Sequence, residues 1–227
     1  MTDLLFRDDA TLDWCEATVV EVSSAGVVLD RTVFYPAGGG QPGDTGTLDA
    51  AIVHDTVKGE DGTVLHLCEG ELPVVGETVT ATLDWDRRFA LMRMHTALHL
   101  LSVAIPLPVS GGAIGAEKSR LDFDMPEAPE DRDAIEAALN AMIEADHPVT
   151  EEWITDAELA ANPGLVKTMS VQPPKDQGRV RLVRIGDIDL QPCGGTHVAS
   201  TGQIGPVRLG KIEKKGKQNR RVSIHFA

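Results

Sequence analysis

Four side chains with metal-binding chemistry occur as two widely separated pairs. His95 and His99 stand four residues apart in HTALH, a spacing that puts both imidazoles on one face of a helix. Cys193 and His197 enclose Gly-Gly-Thr, where the glycines permit a tight turn. Thiolate and imidazole are ligands that zinc takes tetrahedrally. The set therefore predicts one Zn²⁺ ion per chain, bound by all four side chains.

Each pair is weak evidence alone, and other interpretations are open. Histidines at helical spacing also occur as core or surface residues, and Thr96 occupies the position of the acid in the HExxH protease motif. Cys193 and His197 could instead form a nucleophile and its base. Structural zinc sites usually use close CxxC-like pairs. A pair on a helix with a pair on a distant glycine turn favours a cleft with an exchangeable coordination position.

The first eighty-odd residues, which precede the helix that carries His95 and His99, have the pattern of a β-rich region. They contain short β-branched runs separated by turn clusters, and five or six short strands without a helix are typical of a small barrel. Asp84 can cap a helix over Arg87–Ala104 that ends before Pro106. The predicted domains are therefore 1–86 and 87–227. The predicted strands lie within Cys15–Leu29 (two runs), Thr32–Tyr35, Gly46–His54, Thr63–Cys68 and Glu77–Leu83.

Strand and helix patterns alternate in the second region, which predicts an α+β domain. A hairpin is expected where two strands flank Lys215-Gly-Lys-Gln-Asn. The predicted helices are Pro129–Asp146 and Asp156–Ala161, and the predicted strands are Ser119–Met125, Val149–Ile154, Arg179–Ile185, Gly205–Lys214 and Arg220–Phe226.

Composition excludes several protein classes. The 227 residues are 42% hydrophobic and 25% charged, as in ordinary globular proteins. No apolar stretch reaches the roughly 18 residues of a membrane-spanning helix, and the acidic opening segment lacks a signal-peptide core. Three distant cysteines indicate a reducing compartment. We expect a soluble cytoplasmic protein with no membrane partner.

Charge is distributed unevenly. The chain carries −14, which argues against general nucleic-acid coating. Residues 208–221 nevertheless contain seven bases and one acid, so this segment carries +6 and the remaining residues −20. A basic patch on an otherwise repelling surface can bind a polyanion in one orientation. The alternative is a solvated strand pair with lysines along its edge.

Further motifs extend the pattern. They begin at Phe34 (FYPAGGGQPGDTG), Arg87 (RRFALMRM) and Ser119 (SRLDFD). Together with HTALH and CGGTHV they resemble the AlaX family of trans-acting alanyl-tRNA editing proteins, in particular its medium-length type, and the editing domain of alanyl-tRNA synthetase. The resemblance implies a translation-factor-like N-terminal β-barrel followed by a zinc-bearing α+β editing domain. It also implies hydrolysis of the ester that joins serine, with glycine as a further candidate, to alanine tRNA, while alanyl-tRNA is spared.

The resemblance also implies roles for single residues. His95, His99 and Cys193 would be zinc ligands, and His197 the fourth ligand or an acid-base group. Thr96 and Thr196 are candidates by position for recognition of the serine hydroxyl, and Thr96 also for catalysis. A pocket that binds this hydroxyl would be left unpaired by alanine, at a cost of roughly 1–3 kcal/mol. Relatives often carry a polar side chain at Ser110-Gly-Gly-Ala, which here offers mostly glycine.

The glycine-rich loop is expected to approach the editing site, as in AlaX-like proteins. Gly39, Gly40 and Gln41 would then shape the substrate pocket, and Gln41 would contribute to catalysis. Three alternatives are a plain glycine turn, a phosphate cradle without the lysine of a P-loop, and the GGQ triplet of peptide-release factors, whose surrounding residues do not match.

The expected partner is alanine tRNA mischarged with serine. Lys214, Lys215 and Arg220 are predicted to contact its backbone near the acceptor end. No obligate protein partner is evident, and we expect a monomer or a weak dimer. Two other functions stay open: a non-catalytic tRNA-binding module with a structural zinc, and a metallohydrolase acting on another small ester or amide.

Overall fold

The computed structural model describes residues 1–129, 131–169 and 178–227. These residues form two compact units, Met1–Leu91 and Met92–Ala227, and the division falls within the first long helix. The predicted domain limits, 1–86 and 87–227, stay a prediction. Within the described ranges the structure is mostly β, with three α-helices. None of these helices is both long and apolar enough to cross a membrane.

A closed six-stranded barrel dominates the first unit. The strands of this unit are β1 Asp3–Leu4, β2 Trp14–Ser23, β3 Gly26–Leu29, β4 Arg31–Thr32, β5 Gly46–Leu48, β6 Ala51–Lys58, β7 Val64–Glu69 and β8 Thr78–Leu83. The barrel order is β2-β3-β7-β6-β5-β8. Side chains alternate between interior and solvent, as in β8, where Val79, Ala81 and Leu83 are buried. The likeness of this barrel to translation factors stays a prediction.

Two predicted strands of the first unit differ from the structure. The single run Gly46–His54 is two strands, because Asp49 adopts a φ of 47° and reverses the chain. The run Thr32–Tyr35 leaves the sheet after Thr32. The Thr32 hydroxyl accepts the Phe34 N–H at 3.0 Å, and Asp44 accepts the Tyr35 N–H at 2.6 Å, so side chains replace the strand ladder.

Helix α1, Trp85–Ala104, carries the first histidine pair. The Asp84 carboxylate accepts the Arg87 N–H at 3.2 Å, which confirms the predicted cap and holds one of the free N–H groups of the first turn. The helix ends before Pro106, whose ring and missing N–H cannot continue it.

The second unit contains two antiparallel sheets. Its further helices are α2 Arg132–Glu144 and α3 Asp156–Ala161, and its strands are β9 Val109–Ala113, β10 Lys118–Asp124, β11 Val149–Ile154, β12 Val180–Ile185, β13 Asp189–Pro192, β14 Val207–Lys214 and β15 Asn219–Phe226. The sheet orders are β14-β15-β10-β9 and β11-β12-β13. Strands β14 and β15 form the predicted hairpin. Strands β9 and β13 were not predicted.

Helix α2 is shorter than its predicted range of Pro129–Asp146. The Asp131 carboxylate accepts the Ala134 N–H at 2.8 Å and caps the helix, so regular structure begins at Arg132. Residue 130 of the predicted range lies outside the described residues. After Glu144 the chain turns at Asp146, which has a φ of 50°.

Polar side chains of α2 pair with the outer edge of β14. Asn140 accepts the Val207 N–H at 2.9 Å and donates to the Val207 carbonyl at 2.8 Å. Glu136 accepts the Leu209 N–H at 2.7 Å, and the Arg132 guanidinium donates to the Leu209 carbonyl. Residues four apart on the helix thus satisfy backbone groups that an edge strand would otherwise expose.

Candidate metal centre

The two predicted pairs come together in the second unit. One ligand atom from each of His95, His99, Cys193 and His197 lies within 4.8 Å of all the others. The Cys193 Sγ is 3.4 Å from the His95 Nε2 and 3.2 Å from the His197 Nε2. All three imidazoles are less than a tenth exposed. Helix α1 supplies two of these side chains and the turn after β13 supplies the others.

A buried carboxylate orients His99. The His99 Nδ1 donates to the Asp189 carboxylate at 3.1 Å, so its Nε2 is left to the cluster. The Lys167 ammonium lies 2.5 Å from the other Asp189 oxygen, and the Gln191 amide donates to the first at 2.8 Å. Asp189 is therefore held from three directions.

A hydroxyl fixes the orientation of His197 in the same way. The Thr96 hydroxyl donates to the Met92 carbonyl at 3.0 Å, so its oxygen must act as acceptor toward the His197 Nδ1 at 3.1 Å. The Val198 N–H also donates to this oxygen at 3.3 Å. His197 therefore carries its proton on Nδ1 and turns Nε2 toward the Cys193 sulfur.

The turn that carries Cys193 is supported by Arg181. The Arg181 guanidinium donates to the Cys193 and Gly195 carbonyls, each at 2.9 Å, and also pairs with Glu151. The Cys193 N–H donates back to the Arg181 carbonyl at 3.2 Å. These bonds fix the course of the glycine-rich turn across the end of β13.

The side chains of the cluster shift one another's pKa values in different directions. Burial raises the pKa of the Cys193 thiol, but the His95 and His197 imidazoles outweigh it and hold that pKa well below its usual range. Burial and the neighbouring His95 lower the pKa of His197 to about 3. Burial also lowers the pKa of His99, but the hydrogen bond to Asp189 raises it to about 9. A thiolate and neutral imidazole nitrogens are the forms that bind metal, so Cys193 and His197 favour binding as they stand, whereas His99 must release its second ring proton when a metal binds.

The donor set fits a tetrahedral metal ion. At zinc–nitrogen and zinc–sulfur distances of about 2.0–2.3 Å, tetrahedral ligand atoms lie roughly 3.5 Å apart. The two sulfur–nitrogen separations of 3.4 and 3.2 Å are close to that value, and all four ligand atoms lie within 4.8 Å of one another. Carboxylate and hydroxyl groups behind two of the imidazoles provide the outer support that metal-binding histidines usually have.

Four residues that support the cluster were not predicted from the sequence: Asp189, Gln191, Lys167 and Arg181. The signal for the first two is present, because Asp189 and Gln191 lie on one face of β13 in DLQPC, and Cys193 follows at the same spacing just beyond the strand. That signal was not used because β13 was not predicted. Neither Lys167 nor Arg181 has a local sequence signal.

The other predicted site residues of the second unit occupy different settings. Thr96 is fully buried against His197, and Thr196 is also buried. Lys214 and Lys215 are exposed in the β14–β15 hairpin, where Lys215 pairs with Glu213 at 3.0 Å. Arg220 is half-buried and donates to the Pro126 carbonyl. Their roles in substrate binding stay predictions.

The glycine-rich loop lies in the first unit and forms a tight turn. Gly38 and Gln41 exchange two backbone hydrogen bonds of 3.0 Å, and Gly39 and Gly40 between them adopt φ values of 59° and 85°. Such left-handed positions favour glycine, which suits the plain-turn alternative. Gln41 is buried. A role for these residues in the substrate pocket stays a prediction.

A buried ion pair anchors this loop. The Arg88 Nε lies 3.0 and 2.9 Å from the two Asp44 oxygens, and the Arg88 guanidinium also donates to the Val33 carbonyl at 2.6 Å. Neither charged side chain is more than 1% exposed. Both residues lie in motifs that the sequence analysis had singled out, although the pair itself was not predicted.

Comparison with known proteins identifies the family. The chain is 36% identical to the alanyl-tRNA editing protein AlaX-M of Methanosarcina acetivorans, over 98% of each chain. The chain belongs to the AlaX family. The AlaX-M protein of Saccharolobus solfataricus is 35% identical over 98% of both chains. An alanine–tRNA ligase of Halorubrum lacusprofundi is 37% identical over 93% of this AlaX chain and 24% of the ligase.

Two family models also match this AlaX chain. The model of the threonyl and alanyl tRNA synthetase second additional domain matches residues 180–223, which include Cys193 and His197. The model of class II (A) tRNA synthetases matches residues 10–87, which include the barrel strands.

Proposed function

We propose that this protein is a zinc-dependent deacylase that hydrolyses the ester bond of alanine tRNA mischarged with serine and leaves alanyl-tRNA intact. One observation carries the proposal: His95, His99, Cys193 and His197 converge within 4.8 Å in a chain whose relatives are named alanyl-tRNA editing proteins. Such a reaction belongs in the cytoplasm, where charged tRNA is used.

The donor chemistry favours zinc as the metal. Three imidazole nitrogens and one thiolate form a soft to borderline set, whereas magnesium and calcium prefer oxygen ligands. When bound, zinc acts as a Lewis acid toward an ester carbonyl and makes water a better nucleophile at neutral pH.

His197 has one nitrogen available for chemistry. Its Nδ1 proton is held by Thr96, so only Nε2 can bind the metal or accept a proton. The fourth-ligand role and the acid-base role are therefore mutually exclusive at any moment. An activated ester needs little more than positioning, a polarised carbonyl and delivered water, so either role suffices for the reaction.

Thr96 is a poor candidate for recognition of the serine hydroxyl. The Thr96 hydroxyl donates to Met92 and accepts from His197 and Val198, which uses its full hydrogen-bonding capacity. Thr96 thus supports His197 in this proposal. Thr196 is the remaining positional candidate, and it directly precedes His197.

Deacylation assays test the proposal directly. Purified protein should release serine from alanine tRNA charged with serine at least about 100-fold faster than it releases alanine from alanine tRNA charged with alanine. A zinc chelator should abolish the release of serine. Cys193→Ala should lose both bound zinc and activity, whereas Cys68→Ala, which changes a cysteine of the barrel, should retain them. Alanine tRNA charged with glycine serves as a third substrate. Metal-loaded protein that binds tRNA but cleaves none of these esters would favour the binding-module alternative.

The basic hairpin supplies the proposed tRNA surface. Lys211, Lys214, Lys215 and Lys217 are exposed on or between β14 and β15. The double charge reversal Lys214→Glu with Lys215→Glu should raise KM about tenfold or more and flatten the salt dependence of tRNA binding. Arg7→Glu with Arg31→Glu makes the same charge change in the first unit and should have a smaller effect. Equal effects of the two double variants would argue against a local tRNA contact at the hairpin.

A further inference from the structure

A chain of charged contacts reaches from the protein surface to the metal-binding cluster. The Lys167 ammonium, whose side chain is 29% exposed, contacts the Asp189 carboxylate, whose side chain is fully buried. The second oxygen of Asp189 accepts the His99 Nδ1 proton at 3.1 Å. This series of contacts leads to the cluster, because the other ring nitrogen of His99 faces the other candidate ligands.

The carboxylate cannot easily turn away from His99. Gln191 donates to the same oxygen as His99 at 2.8 Å, while its amide also lies 3.5 Å from the Ser102 hydroxyl. That hydroxyl donates to the His99 carbonyl at 2.7 Å. The hydrogen bonds therefore close a ring around one turn of α1 and two alternate residues of β13.

Lys167 is also fixed by backbone contacts. The Lys167 carbonyl accepts the Val109 N–H at 3.1 Å, and the Met169 N–H donates to the Val109 carbonyl at 2.8 Å. The segment around Lys167 thus pairs with the first residue of β9 and does not depend on its own side chain for its position.

We propose that Asp189, held in place by Lys167, is a positioning residue that fixes the orientation and tautomer of His99 and thereby sets the affinity of the metal site. This inference rests on the proposed metal-dependent function. A carboxylate behind a ligating imidazole orients the ring and raises its basicity, and loss of such a partner typically costs 10–100-fold in metal affinity.

Zinc affinity of the full-length protein tests the role of Asp189. Asp189→Asn removes the charge but keeps the side-chain shape, and we expect its zinc dissociation constant, measured by chelator competition, to rise between about 10- and 100-fold. Asp187→Asn is the matched control: it makes the same change at an exposed residue of the β12–β13 turn and should leave affinity unchanged. The visible spectrum of bound Co²⁺ should change for Asp189→Asn and not for the control, since it reports ligand geometry.

A double-variant cycle tests whether Lys167 acts through Asp189. Lys167→Met should weaken zinc binding about threefold to tenfold. Adding it to Asp189→Asn should weaken binding no further, because residues in one network are not additive. Lys167→Met also tests the proposal if Asp189→Asn fails to fold, a condition that unfolding of the metal-free variants would reveal.

The possible outcomes separate this inference from the proposed function. Wild-type protein that binds no zinc would overturn both. Wild-type protein that binds zinc, with Asp189→Asn or Lys167→Met folded and equal to it in affinity and Co²⁺ spectrum, would overturn the positioning role alone. Weaker binding in both variants, an altered spectrum and an unaffected control would support it.

Discussion

Asp44 in the first unit and Asp189 in the second are both buried carboxylates, yet their surroundings differ in kind. Asp44 is 1% exposed and accepts from the Arg88 guanidinium and the Tyr35 N–H. The Asp189 side chain is likewise buried, and its carboxylate accepts from His99, among other donors. Neither donor of Asp44 can ligate a metal, whereas His99 can.

The difference shows how one chemical group serves two purposes. Around Asp44 the ion pair with Arg88 also binds backbone groups of Val33 and Tyr35, next to the glycine-rich loop. Removal of the Asp44 carboxylate should therefore lower the stability of the fold. Around Asp189 the hydrogen bonds lead to the candidate metal centre. His99, Lys167 and Gln191 outweigh burial and lower the pKa of Asp189 to about 2. Asp189 therefore stays ionised at every pH at which the proposed reaction would run.

Breaking the pair at Asp44 should have the largest effect on stability. Asp44→Ala leaves the Arg88 charge buried without its partner, and we expect a loss of about 3–5 kcal/mol in the free energy of unfolding. Urea denaturation followed by circular dichroism measures this. Asp13→Ala, which changes an exposed carboxylate of the same unit, should cost less than about 0.5 kcal/mol. Similar losses for both variants would remove the distinction between buried and exposed carboxylates.

His66 sharpens the comparison, because it is a buried titratable group whose hydrogen-bond partners are a hydroxyl and a backbone carbonyl. Its ring nitrogens lie 2.8 Å from the Thr32 hydroxyl and 3.0 Å from the Val27 carbonyl, and both of these partners are uncharged. Burial lowers the pKa of His66 from 6.5 to about 4, against a smaller opposing contribution from the Val27 carbonyl. His99, with Asp189 beside it, has its pKa raised instead.

The lowered pKa of His66 predicts acid sensitivity. Between pH 6.5 and 4 the unfolded chain binds a proton at His66 that the folded barrel does not. The free energy of unfolding therefore decreases as the pH is lowered through that window. The full loss from this residue is about 3 kcal/mol. In urea unfolding at pH 7 and pH 4, His66→Gln should lose correspondingly less stability than the wild type. An equal loss in both proteins would assign the acid sensitivity to other groups.

An exposed ion pair should give the smallest effect. Glu152 of the edge strand β11 pairs with Arg184 of the neighbouring central strand β12, and both side chains are more than a third exposed. Glu152→Gln should shift the urea midpoint by no more than the error of the measurement, since water screens such pairs. A shift as large as that of Asp44→Ala would mean that burial does not decide the contribution of a carboxylate.

Much of the fold could be predicted from local patterns. Strand β11 and helix α3 were predicted with their observed limits, and the Asp84 cap was identified, because period-two alternation and capping residues are local signals. Strand β9 was missed because Val-Ser-Gly-Gly-Ala lacks β-branched alternation. It becomes a strand by pairing with β10, which no local signal shows.

The candidate site likewise contains residues that short sequence motifs identify and residues that only the fold identifies. The four side chains of the candidate metal centre could be identified because their residue types and spacings lie within two short segments that are distinctive when taken together. Lys167 and Arg181 could not, because their roles arise from contacts with residues far away in the chain. Thr96 was identified, but its position behind His197 follows from the fold rather than from the motif.

The polar stripe on α2 has a consequence for the hairpin beside it. Because Arg132, Glu136 and Asn140 occupy the backbone groups at Val207 and Leu209, the edge of β14 is closed there to a strand from another molecule. The basic hairpin can therefore stand at the margin of a sheet without offering that part of its edge as a template for aggregation. Its lysines remain exposed for use as a surface.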